Sequence, residues 1–366
     1  MRTRRSTGRV DWGLLLAIAF LLLFSVAIVY SASASFAEWR FGSSETLFWN
    51  HAVRVLLAIV LMIGVSRIDY HIFLKFSRGL MGLALVALLT VLVVGASVKG
   101  AARWLSIGPV RFQPSEFAKF ALILYLVFLL VQKQTYIRDY RRALMPLLVW
   151  ILGVATLIAL QPNLSTAALI VVIGLFLLWL GNVPFYQLAI VWMAFGGIGA
   201  AYAVAAPYRL DRLHAFLQAL ETGHYPSYQI QQALLAFSNG GIFGVGPGHS
   251  VQRALFLPES YGDFVFAIIG EEYGFVGCAG VLILFVIILW RGMRIATQSP
   301  DLEGYLLAAG ITFAIGLYAA VHVGVNLGVL PTTGLPLPFV SYGGTSLLFH
   351  AAAAGVVLNI SQQGQR

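Results

Sequence analysis

The stretch YGDFVFAIIGEEYGFVGCAGVLILFVIILW, residues 261–290, decides how this chain is read. From Phe264 onward it is apolar enough to cross a bilayer, for which roughly 20 helical residues suffice. It nevertheless carries Glu271 and Glu272 inside the run, Asp263 at its mouth and Glu259 just upstream. A charge at bilayer centre costs about 2.5–3.5 kcal/mol on insertion scales, so each of these carboxylates needs a reason to be there. Asp263, between Gly262 and Phe264, is the last polar residue before the span, and its carboxylate is expected at the membrane boundary facing the preceding loop. Partial desolvation at that place suits a general base. Glu271 lies about two turns deeper and roughly 80° around a helix from Asp263, and Glu272 falls on the opposite face. Packing or proton handling suits those two better than the same reaction centre. Glu259 reads as a solvated loop charge.

Composition carries the membrane reading across the whole chain. Of 366 residues, 60% are hydrophobic and 10% charged, which excludes an ordinary soluble globular protein. Apolar runs give ten candidate spans, at about 12–31, 49–66, 79–96, 115–131, 144–160, 165–181, 184–204, 264–290, 303–327 and 341–360. The predicted class is therefore all-α, a polytopic bundle with both termini on one side, forming a single transmembrane domain over 1–366. The first run follows Arg2, Arg4, Arg5 and Arg9 and ends in YSASAS, like a secretory signal. Its apolar stretch is longer than a signal core, so it is read as an uncleaved span. Cys278 stands alone, which rules out a disulfide framework.

The net charge of +9 does not indicate nucleic acid, because the basic residues fall in short clusters between apolar runs. With the amino terminus in the cytoplasm, Arg2, Arg4, Arg5, Arg9, Arg67, Lys75, Arg78, Lys133, Arg138, Arg141, Arg142, Arg291, Arg294 and Arg366 lie inside, as the positive-inside rule requires. Arg40, Arg54, Lys99, Arg103, Arg111, Lys119, Arg209, Arg212 and Arg253 are left on or near the outer face, where orientation gives no reason for them. Lys99, Arg103 and Arg111, around Trp104, suit a phosphate or diphosphate group, for which the arginine fork is a bidentate partner. General snorkelling to lipid phosphates is the plainer account.

Two outer segments are irregular. The large loop 205–263 adds Arg209, Arg212 and Arg253, with Gln232 and other amides that sugars and peptides use. Its His214, His224 and His249 lack metal-ligand spacing, and its glycines form no dinucleotide fingerprint. The stretch 328–344, GVLPTTGLPLPFVSYGG, holds Pro331, Pro336 and Pro338 among glycines, so it is expected to dip into the protein as a non-helical re-entrant segment. Ser341 within it joins the candidate substrate contacts. Two helices begin with Gln-Pro, FQPSEFAKF and LQPNLSTAAL. In the first, Glu116 and Lys119 share a face, either as a structural ion pair or as part of a wet cavity.

Six ordered motifs then carry a resemblance: YSAS (30–33), GAARWLSIGPVRFQPSEFAK (100–119), QPNLSTA (161–167), YQIQQALLAFSNGGIFGVGPGHSVQ (228–252), LPESYGDFVFAIIGEE (257–272) and LPTTGLPLPFVSYGGTSLL (330–348). Over nearly its whole length the chain resembles the SEDS family, the peptidoglycan polymerases of division, elongation and sporulation, and is closer to the FtsW branch than to RodA. The resemblance implies ten helices, a catalytic aspartate at Asp263 and important roles for Glu116 and Lys119. It also implies lipid II as substrate, a class B penicillin-binding protein as partner, and the bacterial cytoplasmic membrane as location, with the active site outside. The donor is then lipid-linked, and the outer cations Lys99, Arg103, Arg111, Lys119, Arg209, Arg212 and Arg253 neutralise the undecaprenyl pyrophosphate leaving group. No cofactor or metal site is fixed by the sequence, which leaves room for a divalent cation. Two departures stand out: Asn163 and Ser165 replace the usual aspartate and glycine after Gln-Pro, and Tyr261-Gly262 replaces the usual His-Thr. The rival reading is a lipid II flippase, with Glu116 and Lys119 in a transport path and the re-entrant stretch as a gate; a non-enzymatic scaffold is a third.

Overall fold

The computed structural model describes residues 10–98, 101–107, 110–204, 218–219, 221, 225, 227–254 and 256–364. Helices dominate. Among the described residues, eight are long and apolar enough to cross a membrane: α1 (Trp12–Phe41), α2 (Thr46–Ser66), α4 (Ser77–Val94), α5 (Pro114–Gln132), α6 (Met145–Ala159, preceded by a wider turn at Tyr140–Leu144), α10 (Val265–Thr297), α11 (Leu302–Asn326) and α12 (Gly344–Gln363). The spans expected at 165–181 and 184–204 fall on α7 (Leu164–Leu180) and α8 (Phe185–Val204), whose described apolar stretches are shorter. A six-residue helix, α3 (Tyr70–Lys75), links α2 to α4, and α9 (Tyr228–Gly240) belongs to the large loop.

Burial follows apolar faces. α5, α11 and α12 are the most enclosed spans, and α11 touches α5, α7, α10 and α12. Outward-facing Leu16, Phe20, Leu23, Leu56, Val60, Ile283 and Val286 are exposed, a belt too apolar and continuous for water but matched to lipid tails.

Three departures from the expected boundaries have local causes. First, α1 does not stop near residue 31 but continues to Phe41, where Gly42 caps it with φ +70°. Its Ser31, Ala32 and Ser33 are buried, because small side chains let the helix approach α10 and the loop before it. The Ser260 hydroxyl donates to the Ala32 carbonyl at 2.9 Å across that contact.

Second, residues 96–112 form a small antiparallel sheet, β1 (Ala96–Val98), β2 (Ala101–Ile107) and β3 (Val110–Phe112), with Ala96 opposite Trp104 and Leu105 opposite Phe112. It lies over the ends of α4 and α5, with β3 against α12. Each strand is too short to declare itself in sequence, and only pairing makes it persist.

Third, α10 is broken at Gly274, whose φ of +63° is left-handed. The backbone groups freed by the break are satisfied by the loop after α9: Val245 and Gly246 donate to the Glu271 and Glu272 carbonyls, and Phe275 and Val276 donate to those of Gly241 and Ile242. A Cβ at Gly274 would lie 2.4 Å from the Gly244 nitrogen, so only glycine fits. At the start of α7, Asn163 accepts from the Thr166 amide at 3.4 Å. Asparagine caps a helix as well as aspartate does, which accounts for that departure from the family pattern without a charge.

Candidate active site

Asp263 sits half-buried in the turn that opens α10, at the end of the bundle that carries the sheet. Its backbone is clamped from two sides. From α11, the Asn326 amide donates to the Asp263 carbonyl at 3.1 Å and to the His322 carbonyl at 2.9 Å, while its oxygen accepts from the Ala267 amide at 3.1 Å. From the other side comes the non-helical segment 327–343, whose prolines and glycines keep it irregular. Leu337, Phe339, Val340 and Ser341 in it are buried. The Ser341 hydroxyl donates to the Gly262 carbonyl at 2.7 Å and accepts from the Leu337 amide at 2.8 Å. The Tyr342 amide donates to the Tyr261 carbonyl at 2.9 Å. Buried irregular backbone is tolerated only with such partners. His322 supplies one more, donating from Nδ1 to the Leu335 carbonyl at 2.8 Å. The Asp263 carboxylate lies along the bare face of Gly334, where a Cβ would stand 3.4 Å from Oδ2.

Several basic residues stand on the neighbouring elements, and Arg103 interacts with this carboxylate. Arg103, half-buried on β2, donates from Nε to the Gln161 carbonyl at 3.3 Å and from Nη2 to the Pro162 carbonyl. Burial pulls its guanidinium below the ordinary range and the Asp263 charge acts in the opposite sense, so the two groups share a field. Arg54 on α2 is half-buried, with its guanidinium 4.8 Å from the ring centre of Tyr342. Arg253, also half-buried, donates to the carbonyl and hydroxyl of Ser31 at 3.1 and 3.3 Å. Arg111 is exposed on β3, its carbonyl accepting from Thr345 at 3.0 Å. Gln232 is half-buried on α9. Lys99, Arg209 and Arg212 lie outside the described residues.

Glu116 and Lys119 are brought to each other inside the bundle. Lys119 Nζ stands 2.9 Å from Glu116 Oε2, 3.3 Å from His350 Nε2 and 3.8 Å from the ring centre of Tyr318, and both charged residues are buried. The geometry is that of an ion pair locking α5 to α11 and α12. Glu271 has a structural task as well. Its carboxylate accepts from the Ser250 hydroxyl, from Asn239 at 3.1 Å, and from the amides of Val251 and Gln252 at 3.2 Å each, holding the loop against the broken helix. Glu272 accepts from the Ser31 hydroxyl and thereby joins α10 to α1.

Sequence reasoning missed Asn326, His322 and the contact of Arg54. The available signal for the first two was a polar pair four residues apart in an otherwise apolar helix. For Arg54 it was an arginine on the outer half of a span without an orienting task. Among the described residues, no group of three or more His, Cys, Asp or Glu side chains is arranged to hold a metal ion.

Comparisons with known proteins agree with this architecture. The family model for cell cycle proteins of the FtsW, RodA and SpoVE type matches residues 12–366. The stage V sporulation protein E of Bacillus subtilis (strain 168) is 36% identical over 98% of this chain and 99% of its own length. A probable peptidoglycan glycosyltransferase FtsW of Thioalkalivibrio sulfidiphilus is 36% identical over 98% of this chain and 91% of its own. Among solved structures, a chain from a study of how a peptidoglycan synthase complex coordinates polymerization and crosslinking superposes with a TM-score of 0.79 at 28% identity, covering 96% of this chain and 97% of that one. An aspartate-to-alanine mutant of the rod shape determining protein RodA of Thermus thermophilus superposes at 0.72 with 27% identity, covering 98% and 99%. With its apolar helices and its whole length matched, the chain is an integral membrane protein that belongs to the FtsW/RodA/SpoVE family of cell cycle proteins.

Proposed function

We propose that this protein is a peptidoglycan glycosyltransferase that polymerises lipid II into glycan strands on the outer face of the bacterial cytoplasmic membrane. Ten spans, cytoplasmic termini and an extracytoplasmic sheet end complete the reading. Asp263 is the general base. It takes the proton of the acceptor sugar hydroxyl as that oxygen forms a bond to the anomeric carbon of the donor. The bond from that carbon to the diphosphate oxygen breaks in the same displacement, so the anomeric configuration inverts. The departing undecaprenyl diphosphate carries its charge into the field of Arg103, with Arg111, Arg253, Lys99, Arg209 and Arg212 as further cations of the cavity. Gln232 contacts the substrate directly; Ser341, Glu116 and Lys119 act by holding the walls of the site.

The observation that carries this reading is Asp263, in a turn whose backbone is held by Asn326 on one side and Ser341 on the other, with Arg103 in the field of its carboxylate. Kinship with proteins named as peptidoglycan glycosyltransferases supports the substrate class. Likeness to a chain of a synthase complex supports a cross-linking transpeptidase, a class B penicillin-binding protein, as partner.

Purified protein given labelled lipid II tests the assignment. Asp263→Asn should lower polymerisation by about 10²–10⁴-fold, the usual worth of a positioned base, while the protein stays folded. Glycan chains of undiminished yield from that variant overturn it. The flippase reading predicts translocation without polymer in the same reconstituted vesicles.

A further inference from the structure

Arg54 lies in the first half of an apolar helix, α2, and forms no ion pair with a carboxylate among the described residues. A lone arginine on a span ordinarily turns its head outward to lipid phosphates. This one turns inward. It is half-buried, its guanidinium lies 4.8 Å from the ring centre of Tyr342, and it runs along the bare face of Gly344, where a Cβ would stand 3.5 Å from Nε.

Tyr342 is wedged between α2 and the turn that carries Asp263. His51, one helical turn before Arg54, has its ring centre 5.7 Å from the Tyr342 ring, and Tyr261 meets that ring edge-on at 5.6 Å. His51 is itself fixed. Its Nε2 donates to the Ser25 hydroxyl at 2.9 Å, because that hydroxyl spends its own proton on the Leu22 carbonyl at 2.6 Å. From the backbone of the same segment, the Tyr342 amide donates to the Tyr261 carbonyl and the Ser341 hydroxyl to the Gly262 carbonyl. Tyr261 and Gly262 are the two residues before Asp263. The segment 327–343 has no helical ladder of its own, so side-chain contacts decide where its amides point.

We propose that Arg54 is a positioning residue for Asp263. By holding the Tyr342 ring against α2, it keeps the Tyr342 amide on the Tyr261 carbonyl and so fixes the turn that presents the carboxylate. The inference rests on the polymerase reading and adds to it a residue that acts through one ring and one backbone bond. A guanidinium suits the task because it is planar, stays charged and is attracted to the face of an aromatic ring, the more so where water is partly excluded. An uncharged side chain of similar length would leave the ring held by His51 and Tyr261 alone. The amide would then leave its carbonyl more often, and a base whose turn moves spends less time where it can take a proton.

The test reads the clamp and the chemistry separately, on full-length protein in lipid vesicles. Amide hydrogen exchange across residues 337–343, followed by mass spectrometry without substrate, should quicken about three- to tenfold in Arg54→Gln, the fold-change to which one cation–π contact converts. With lipid II added, kcat should fall by a similar factor while KM stays level. Arg54→Lys, which keeps a cation over the ring, should restore most of both. Tyr342→Leu should lower kcat as well, and the double variant Arg54→Gln with Tyr342→Leu should be no worse than Tyr342→Leu alone, since the two act in one chain. Arg294→Gln, which removes a cation 6.0 Å from the Trp290 ring at the opposite end of the bundle, should alter neither readout. Unchanged exchange in Arg54→Gln overturns the clamp. So does a raised KM at constant kcat, which would make Arg54 a substrate contact only. The exchange measurement needs no turnover, so full activity in Asp263→Asn would sink the catalytic assignment and leave the result on the clamp standing.

Discussion

The two ends of the bundle treat charge in opposite ways. At the end far from Asp263, charges neutralise one another. Arg291 meets Asp11 with Nη2 at 2.8 Å and Nε at 2.9 Å, and Asp11 also caps α1 through the Leu14 amide. His71 lies between Asp69 at 2.7 Å and Asp301 at 3.1 Å, and Tyr70 donates to the same Asp301 oxygen at 2.8 Å. At the sheet end, Arg103 and Arg253 are held by backbone carbonyls and a serine hydroxyl, and Arg54 by a ring. Among the described residues, none of these three forms an ion pair. A carbonyl orients a guanidinium without cancelling its charge. The far end is thus built to hold helices together, and the sheet end to present oriented positive charge to an anion.

The sharpest way to break this comparison is through the Glu116–Lys119 ion pair, buried between the two ends. Removing Lys119 as Lys119→Met leaves the Glu116 carboxylate buried and uncompensated, which should destabilise the fold by about 3–5 kcal/mol in thermal unfolding of the detergent-solubilised protein. Glu116→Leu combined with Lys119→Met should be much milder than either alone. If the double variant is the worst of the three, the pair is not a structural lock. Arg103→Gln comes next. It should leave the melting temperature nearly unchanged and reduce lipid II turnover by about ten- to a hundredfold, since a hydrogen bond to a charged group is worth about 1.5–3 kcal/mol. A variant equally active but less stable would move Arg103 into the structural class.

Ser341→Ala sharpens the contrast from the backbone side. It strands the buried Gly262 carbonyl and Leu337 amide and should lower stability by about 1–2 kcal/mol. A parallel fall in polymerisation is expected because the turn that carries Asp263 loosens, and full activity in a destabilised protein would show the clamp to be dispensable. The smallest effect belongs to His71. Burial opposes its charge, but the hydrogen bonds that it donates to Asp69 and Asp301 outweigh it and hold the imidazolium above the usual histidine range. A raised folded pKa stabilises below the unfolded value near 6.5 and loses that contribution as pH climbs through the folded one. Asp69, which burial pushes up but His71 brings down on balance, contributes above the carboxylate range and loses its share on acidification. Stability should therefore decline on the alkaline side of the histidine range, and His71→Gln should flatten that decline. For a clasp 42% exposed the amplitude is about 0.5 kcal/mol after solvent screening. An alkaline slope unchanged in His71→Gln would assign it to another group.

Much of this was legible in the sequence for a simple reason. Membrane spans are written in local composition, so apolar runs place the helices within a few residues, and Pro-Gly clusters mark where helix is impossible. The Glu116–Lys119 pair was legible because residues three apart on a helix must share a face. Its third partner was not, because His350 lies 231 positions away. The end of α1 was misplaced because Ser31-Ala32-Ser33 looks like a helix ending, and only the approach of α10 explains why small residues are wanted there. The sheet was hidden because three short strands have no periodicity to display until they pair.

The sequence by itself determined that the chain lives in a bilayer, which segments are apolar enough to be candidate spans, and that Asp263 stands at a boundary between loop and helix. Tertiary structure alone decided which carboxylates are spoken for. Glu271 and Glu272 are committed to amides and hydroxyls brought from residues 239–252 and from α1, while the Asp263 backbone is held by Asn326 of α11 and its carboxylate lies against Gly334. Hydrophobic partition acts on composition and needs no partner, so a linear string suffices to encode it. Hydrogen bonds and charge compensation act over a few ångströms between residues hundreds of positions apart, and only the folded chain brings those distances into being.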